Sequence, residues 1–165
     1  MSSLKRFCVI GFLLTTIVGI VSHFVYDWTG ENFLVGLFFP VNESTWEHMK
    51  QVFFPMLVYS MIAGRGQERQ YPCVYNAMFS GILAGLLLIP TLFYTYSGIL
   101  GFNVAWANIV VYILSMLAAF VVVYRVASTC KNKNSAVLRT VMYVLLVAFM
   151  VFSVYPPKLG IFMAP

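Results

Sequence analysis

Charge is scarce in this sequence. Only 9% of its 165 residues are Asp, Glu, Lys or Arg, against roughly 25% in an ordinary soluble domain. Apolar and aromatic residues make up 61%. A water-soluble chain of this length cannot cover its surface with so few charges, so lipid has to act as solvent for much of it. No hydrophilic stretch is long enough for a separate soluble domain, and the chain reads as one membrane domain over 1–165. The net charge of +5 does not mark a nucleic-acid binder. The basic residues sit at the ends of apolar runs, which is the pattern of membrane topology signals. Catalytic strings are also missing: there is no HExxH, no nucleophile elbow and no phosphate-cradling loop.

What is present is a series of apolar runs. A bilayer core takes about 20 predominantly apolar helical residues, and five segments meet that need, at about 7–26, 45–63, 74–96, 104–127 and 136–155. The second is apolar only in its inner two-thirds. The expected fold is therefore an all-α integral membrane protein of five transmembrane helices. Lys5 and Arg6 precede the first run as in a signal peptide, but no Ala-x-Ala-like cleavage site follows, and an uncleaved span is the better reading. With the N-terminus inside and the C-terminus outside, Lys5, Arg6, Arg65, Arg69, Arg125, Lys131, Lys133 and Arg139 fall on the cytoplasmic side. Only Lys50 and Lys158 fall outside, a strong positive-inside bias. Tyr26, Trp28, Tyr94, Tyr96, Trp106 and Tyr155 then form an outer aromatic belt. Cys8, Cys73 and Cys130 lie near the reducing side, so three free thiols and no disulfide are expected.

Small and polar residues at four-residue spacing should face the bundle interior, because helices in lipid associate through close backbone approach and polar contacts. Such stripes are Gly11, Thr15, Gly19, His23 and Asp27, and Ala77, Gly81 and Gly85; Asn108, Tyr112, Ser115 and Ala119 lie along one face at mixed spacings of four and three. The Gly81/Gly85 face also suits a homo-oligomer contact, though packing within the chain is the expected use. Pro55 and Pro90 free the carbonyls of Gln51 and Leu86. Either neighbouring helices accommodate the bends, or the Gln51 carbonyl lines a cavity beneath the polar residues described next.

Four of the five acids, Asp27, Glu31, Glu43 and Glu47, fall in one short stretch, with His23 and His48 at its edges. Ser44 followed by Glu47 fits a capping box at a helix start. The apolar run from Val52 to Gly64 covers only about 20 Å of a core roughly 30 Å thick. The polar first turns of this helix must then dip into the outer bilayer and face protein or a water-filled pocket. Candidate ligand-binding residues are His23, Asp27, Asn42, Glu43, Glu47, His48, Lys50 and Gln51. A divalent, zinc-like metal would be held by His23, Asp27, Glu47 and His48. Helical spacing places Glu43, Glu47 and Lys50 on one side and His48 beside Ser44 and Gln51, while Asp27 stands one turn from His23. The structural alternative is that these groups only cap and cross-link two helices. The apolar run Phe33 to Phe39 should lie in the outer interface or re-enter as a lid, with Gly36 allowing a sharp bend.

His23-Phe24-Val25-Tyr26-Asp27-Trp28, Val35-Gly36-Leu37-Phe38 and Pro40-Val41-Asn42-Glu43-Ser44-Thr45-Trp46-Glu47-His48-Met49-Lys50, with Phe53-Phe54-Pro55, resemble DUF6512, a family of small bacterial multi-pass membrane proteins of unknown function. Tyr155-Pro156-Pro157-Lys158 with Ile161-Phe162 is similar to that family's C-terminal segment. The Asp-Pro that commonly follows there is replaced by Met163-Ala164-Pro165. The resemblance implies the bacterial cytoplasmic membrane and transfers no activity. Three functions remain open: an outward site that binds or transports a cation, proton or small polar ligand; a membrane hydrolase, with or without a metal, acting on a lipid or envelope substrate; and a non-catalytic partner subunit. The first is preferred.

Overall fold

A computed structural model describes residues 2–131 and 135–164; Lys133, counted above among the inner basic residues, lies outside them. The described chain is all-helical: α1 (Ser3–Trp28), a single turn α2 (Phe33–Gly36), α3 (Thr45–Gln67), α4 (Val74–Leu100), α5 (Ala105–Thr129), α6 (Ala136–Val154) and a 3₁₀ turn (Gly160–Phe162). The starts of α1, α3 and α6 are each fixed by a serine side chain, Ser2, Ser44 and Ser135, accepting a backbone N–H three residues on. Gly101 ends α4 in the left-handed conformation that glycine adopts without strain.

Four helices, α1, α4, α5 and α6, are long and apolar enough to cross a membrane. The expectation of five is thus supported for four by composition. The exception is α3: its 23 residues give it the length, but Glu47, His48, Lys50 and Gln51 crowd its first turns. This same helix is the packing centre. Val52, Phe53 and Met56 are completely buried on it, and α1, α4 and α6 all pack against it.

The small-residue stripes point inward as their spacing predicts, except toward the polar end, where His23 and Asn108 are only half-buried and Asp27 is exposed. Gly11, Thr15 and Gly19 are buried on α1, and Ala77, Gly81 and Gly85 on α4. Tyr112, Ser115 and Ala119 are buried on α5. A Cβ on Gly81 would meet the Ala119 carbonyl oxygen at 2.7 Å, and one on Gly85 would meet Val52 at 3.0 Å. The Gly81/Gly85 face is therefore filled by α5 and α3 within a single chain. A Cβ on Gly19 would lie 2.6 Å from the Gln51 carbonyl oxygen. The carbonyl freed by Pro55 is covered by the close approach of α1, and it does not open onto a cavity.

Helix α6 is the least embedded, with only Met142 and Phe149 buried. It is held at one end by aromatic contacts of Trp46 with Phe149 and Phe152, and by Ser153, which donates to Glu47 at 3.0 Å. The antiparallel helices gather Lys5, Arg6, Arg65, Arg69, Arg125, Lys131 and Arg139 toward one end, called here the basic end. The ends of α1, α4 and α6 and the starts of α3 and α5 form the opposite, polar end. One expectation fails at the basic end. Cys73, at the N-cap of α4, and Cys130, at the C-cap of α5, are joined in a disulfide with their Cα atoms 5.3 Å apart. The α4–α5 hairpin returns the chain to its starting level, so two cysteines 57 residues apart in sequence become neighbours. Cys8 alone remains a free, buried thiol.

Candidate functional site

The polar end contains two clusters on opposite sides of α3, and the sequence candidates divide between them, with Asp27 outside both. Helix α3 begins at Thr45 with Ser44 as its extended N-cap, φ −70° and ψ 152°. Glu43 thus precedes the helix, and the helical spacing that grouped it with Glu47 and Lys50 does not apply to it. The extended turn carries its carboxylate round to the histidines.

The first cluster joins α1 to α3. His23 Nε2 stands 3.2 Å from Glu43 Oε1, and His48 Nε2 stands 3.4 Å from Glu43 Oε2. The two imidazoles stack with centroids 5.4 Å apart and planes inclined by 28°. One donor atom from each of the three residues lies within 4.8 Å of the others. Both rings are oriented from behind. His48 Nδ1 is 2.9 Å from the Ser44 carbonyl oxygen, which can only accept. That places the ring proton on Nδ1 and turns the Nε2 lone pair toward the site. His23 Nδ1 is 3.0 Å from the Gln51 amide. Gln51 can donate to that nitrogen or, with its amide turned over, accept from it and leave Nε2 free for a cation. The histidines are about a quarter exposed and Glu43 is 64% exposed, so the cluster is open to solvent on the carboxylate side. On its inner side lies a cavity of about 30 Å³, which Thr45, Asn108 and Tyr112 help to line.

Each histidine approaches a different oxygen of Glu43, and with one donor atom per residue the three lie within 4.8 Å of one another. A tetrahedral ion with bonds of about 2.0–2.1 Å holds its ligand atoms about 3.3–3.4 Å apart, so binding would draw the three groups slightly together, and two histidines with one glutamate would leave a fourth position open. The set differs from the expected one. Asp27, one turn beyond His23, is exposed, and none of the ion pairs or side-chain hydrogen bonds among the described residues involves its carboxylate. Glu47 is absent from the site for a different reason, described next. Glu43 takes the place expected for those two acids.

The second cluster is fully closed. Lys50 is completely buried and Glu47 is 2% exposed; the ammonium donates to Glu47 Oε2 at 2.7 Å. It also donates to the carbonyls of Gly36 at 2.8 Å and Phe39 at 3.2 Å. Glu47 accepts in addition from the Val41 N–H at 3.0 Å and from Ser153. Every donor of the ammonium is satisfied by the chain itself, so Lys50 and Glu47, both ligand candidates from sequence, are a structural tie. They anchor α2 and the loop from Leu37 to Val41 onto α3. Asn42 is likewise structural, its side chain accepting from the Ser44 N–H at 2.8 Å. Gly36 is needed for closeness and not for a bend, because a Cβ there would meet Val41 at 2.7 Å. The Phe33 to Phe39 segment thus covers the Lys50–Glu47 pair and not the histidines.

Sequence reasoning missed the residues that complete both clusters. Asn108 and Tyr112 stood on a recognised polar stripe, which was a usable signal for the cavity wall. Nothing in the sequence marked Ser153, which reaches Glu47 from 106 positions away.

The whole pattern, from α1 to the segment after α6, matches one protein family over residues 1–164. The chain belongs to DUF6512. That family is described as one of unknown function. No curated protein and no solved structure matches the chain. For this DUF6512 chain, the chemistry of the site therefore has to be argued from its own geometry.

Proposed function

We propose that this is a five-span integral membrane protein of the bacterial cytoplasmic membrane, N-terminus inside, whose outward polar end binds a divalent cation of the zinc class through His23, Glu43 and His48. The observation that carries the reading is the convergence of two imidazole nitrogens on one carboxylate, each ring oriented by a partner behind it. Counting α3 as the fifth span is supported by its length of about 34 Å at 1.5 Å per residue and by the inward burial of Glu47, Lys50 and Gln51. The gathering of basic residues at the opposite end supports the orientation.

Binding is favoured over transport. The polar side chains deeper in the bundle, Thr15, Ser60 and Ser115, each donate to a carbonyl of their own helix, so they do not form a relay toward the basic end. A second reading, a metal-assisted hydrolase, rests on the open fourth position and on the adjacent cavity, which has room for a water. It requires zinc-dependent turnover of an ester or phosphodiester.

The test is metal analysis of protein stripped with chelator and reloaded with zinc or cobalt in detergent. About one equivalent should be retained, with a raised melting temperature. His23→Ala and His48→Ala should lose both effects, and Asp27→Asn should keep them. Protein that holds no stoichiometric metal and melts unchanged would leave the three groups as a proton-binding or structural cluster.

A further inference from the structure

Helices α1 and α5 pack along an apolar groove that opens on the outside of the bundle and encloses about 550 Å³. Val9 and Leu13 from α1, with Leu117 and Val121 from α5, line its length. At the basic end its lining includes Lys5 from one helix and Tyr124 and Arg125 from the other, both cations exposed. Among the described residues neither cation has a salt-bridge partner; the ion pairs there all involve Glu43 or Glu47, at the far end of the molecule.

We propose that this groove binds one acyl chain of an anionic phospholipid, with the phosphate seated between Lys5 and Arg125. Charge and length both support it. Two unpaired cations from different helices at the head of a hydrocarbon-lined channel complement a molecule with one anionic head and an apolar tail. From Lys5 to Leu13 the groove runs about 12 Å along α1, close to the ~15 Å depth of one leaflet of a ~30 Å core. A chain entering at the basic end therefore stays within its own leaflet. The larger groove between α1 and α3 is less suitable. It encloses about 730 Å³ and reaches from Arg6 to Ser22, about 24 Å, which is well past one leaflet. Its mouth at the basic end offers one cation, Arg6, in place of two.

The experiment is native mass spectrometry of the full chain equilibrated with equal amounts of phosphatidylglycerol and phosphatidylcholine of identical acyl chains. Wild type should carry predominantly phosphatidylglycerol. Lys5→Gln and Arg125→Gln should each lower the preference about fivefold, as expected for one basic residue at a membrane surface. Arg6→Gln should leave it unchanged, and Val121→Trp, which fills the groove, should reduce adducts of both lipids. Equal binding of the two lipids by wild type would overturn the proposal. So would a loss in Arg6→Gln as large as in Arg125→Gln. Circular dichroism of each variant keeps misfolding apart from loss of binding.

Discussion

Replacing Lys50 by methionine isolates the closed cluster of the polar end. The substitution keeps an unbranched stem of similar reach and removes the ammonium. It leaves the Glu47 carboxylate, 2% exposed, with the Val41 N–H and Ser153 as its remaining partners, and it strips the Gly36 and Phe39 carbonyls of their donor. Breaking a buried ion pair from one side costs about 3–5 kcal/mol. Because Glu47 keeps two hydrogen bonds, the expected loss lies near the lower bound, about 3 kcal/mol. Glu47→Gln should cost about as much, since it leaves a buried ammonium facing neutral acceptors only. The double variant removes both charges and should be less destabilised than the sum of the two by about 1–3 kcal/mol. Equilibrium unfolding by sodium dodecyl sulfate in mixed micelles reads all four corners of the cycle. A loss under about 1 kcal/mol in either single variant, the value of an exposed pair, would refute the reasoning. Strict additivity would refute it equally.

Gly81→Val should destabilise by about 1–3 kcal/mol, because its Cβ would press on the Ala119 backbone. Gly98→Ala, with nothing within 4 Å, should be neutral or slightly stabilising in the same unfolding assay. Denatured protein titrated with a maleimide should show one reactive thiol before reduction, that of Cys8, and three after it. In freshly isolated, unreduced membranes the proposed orientation, with the basic end in the reducing cytoplasm, predicts three thiols and a bridge that closes only after lysis; a single thiol there would place the basic end on the oxidising side and overturn that orientation. Asp27→Asn should change stability by less than about 0.5 kcal/mol, as expected for an exposed side chain without partners.

The inward stripes of α1, α4 and α5 were legible because helix packing in lipid depends on residue size at helical spacings of three and four, and both are written in sequence. The Ser44 cap of α3 was legible for a similarly local reason. The division of the polar cluster was not. Spacing grouped Glu43 with Glu47, and only the extended backbone at Ser44 separates them. Asp27 and His23 stand one turn apart, yet the packing of α1 against α3 brings in one and leaves the other in solvent.

The sequence by itself determined that the chain is helical, that much of it belongs in lipid, and which faces of three helices turn inward. These follow from composition and from a periodicity set within one helix. Tertiary structure decided which carboxylate meets the histidines, which lysine is closed off, and that Cys73 meets Cys130. Each of these depends on how separate helices cross and where they end, and a contact between elements far apart in the chain leaves no local period to read.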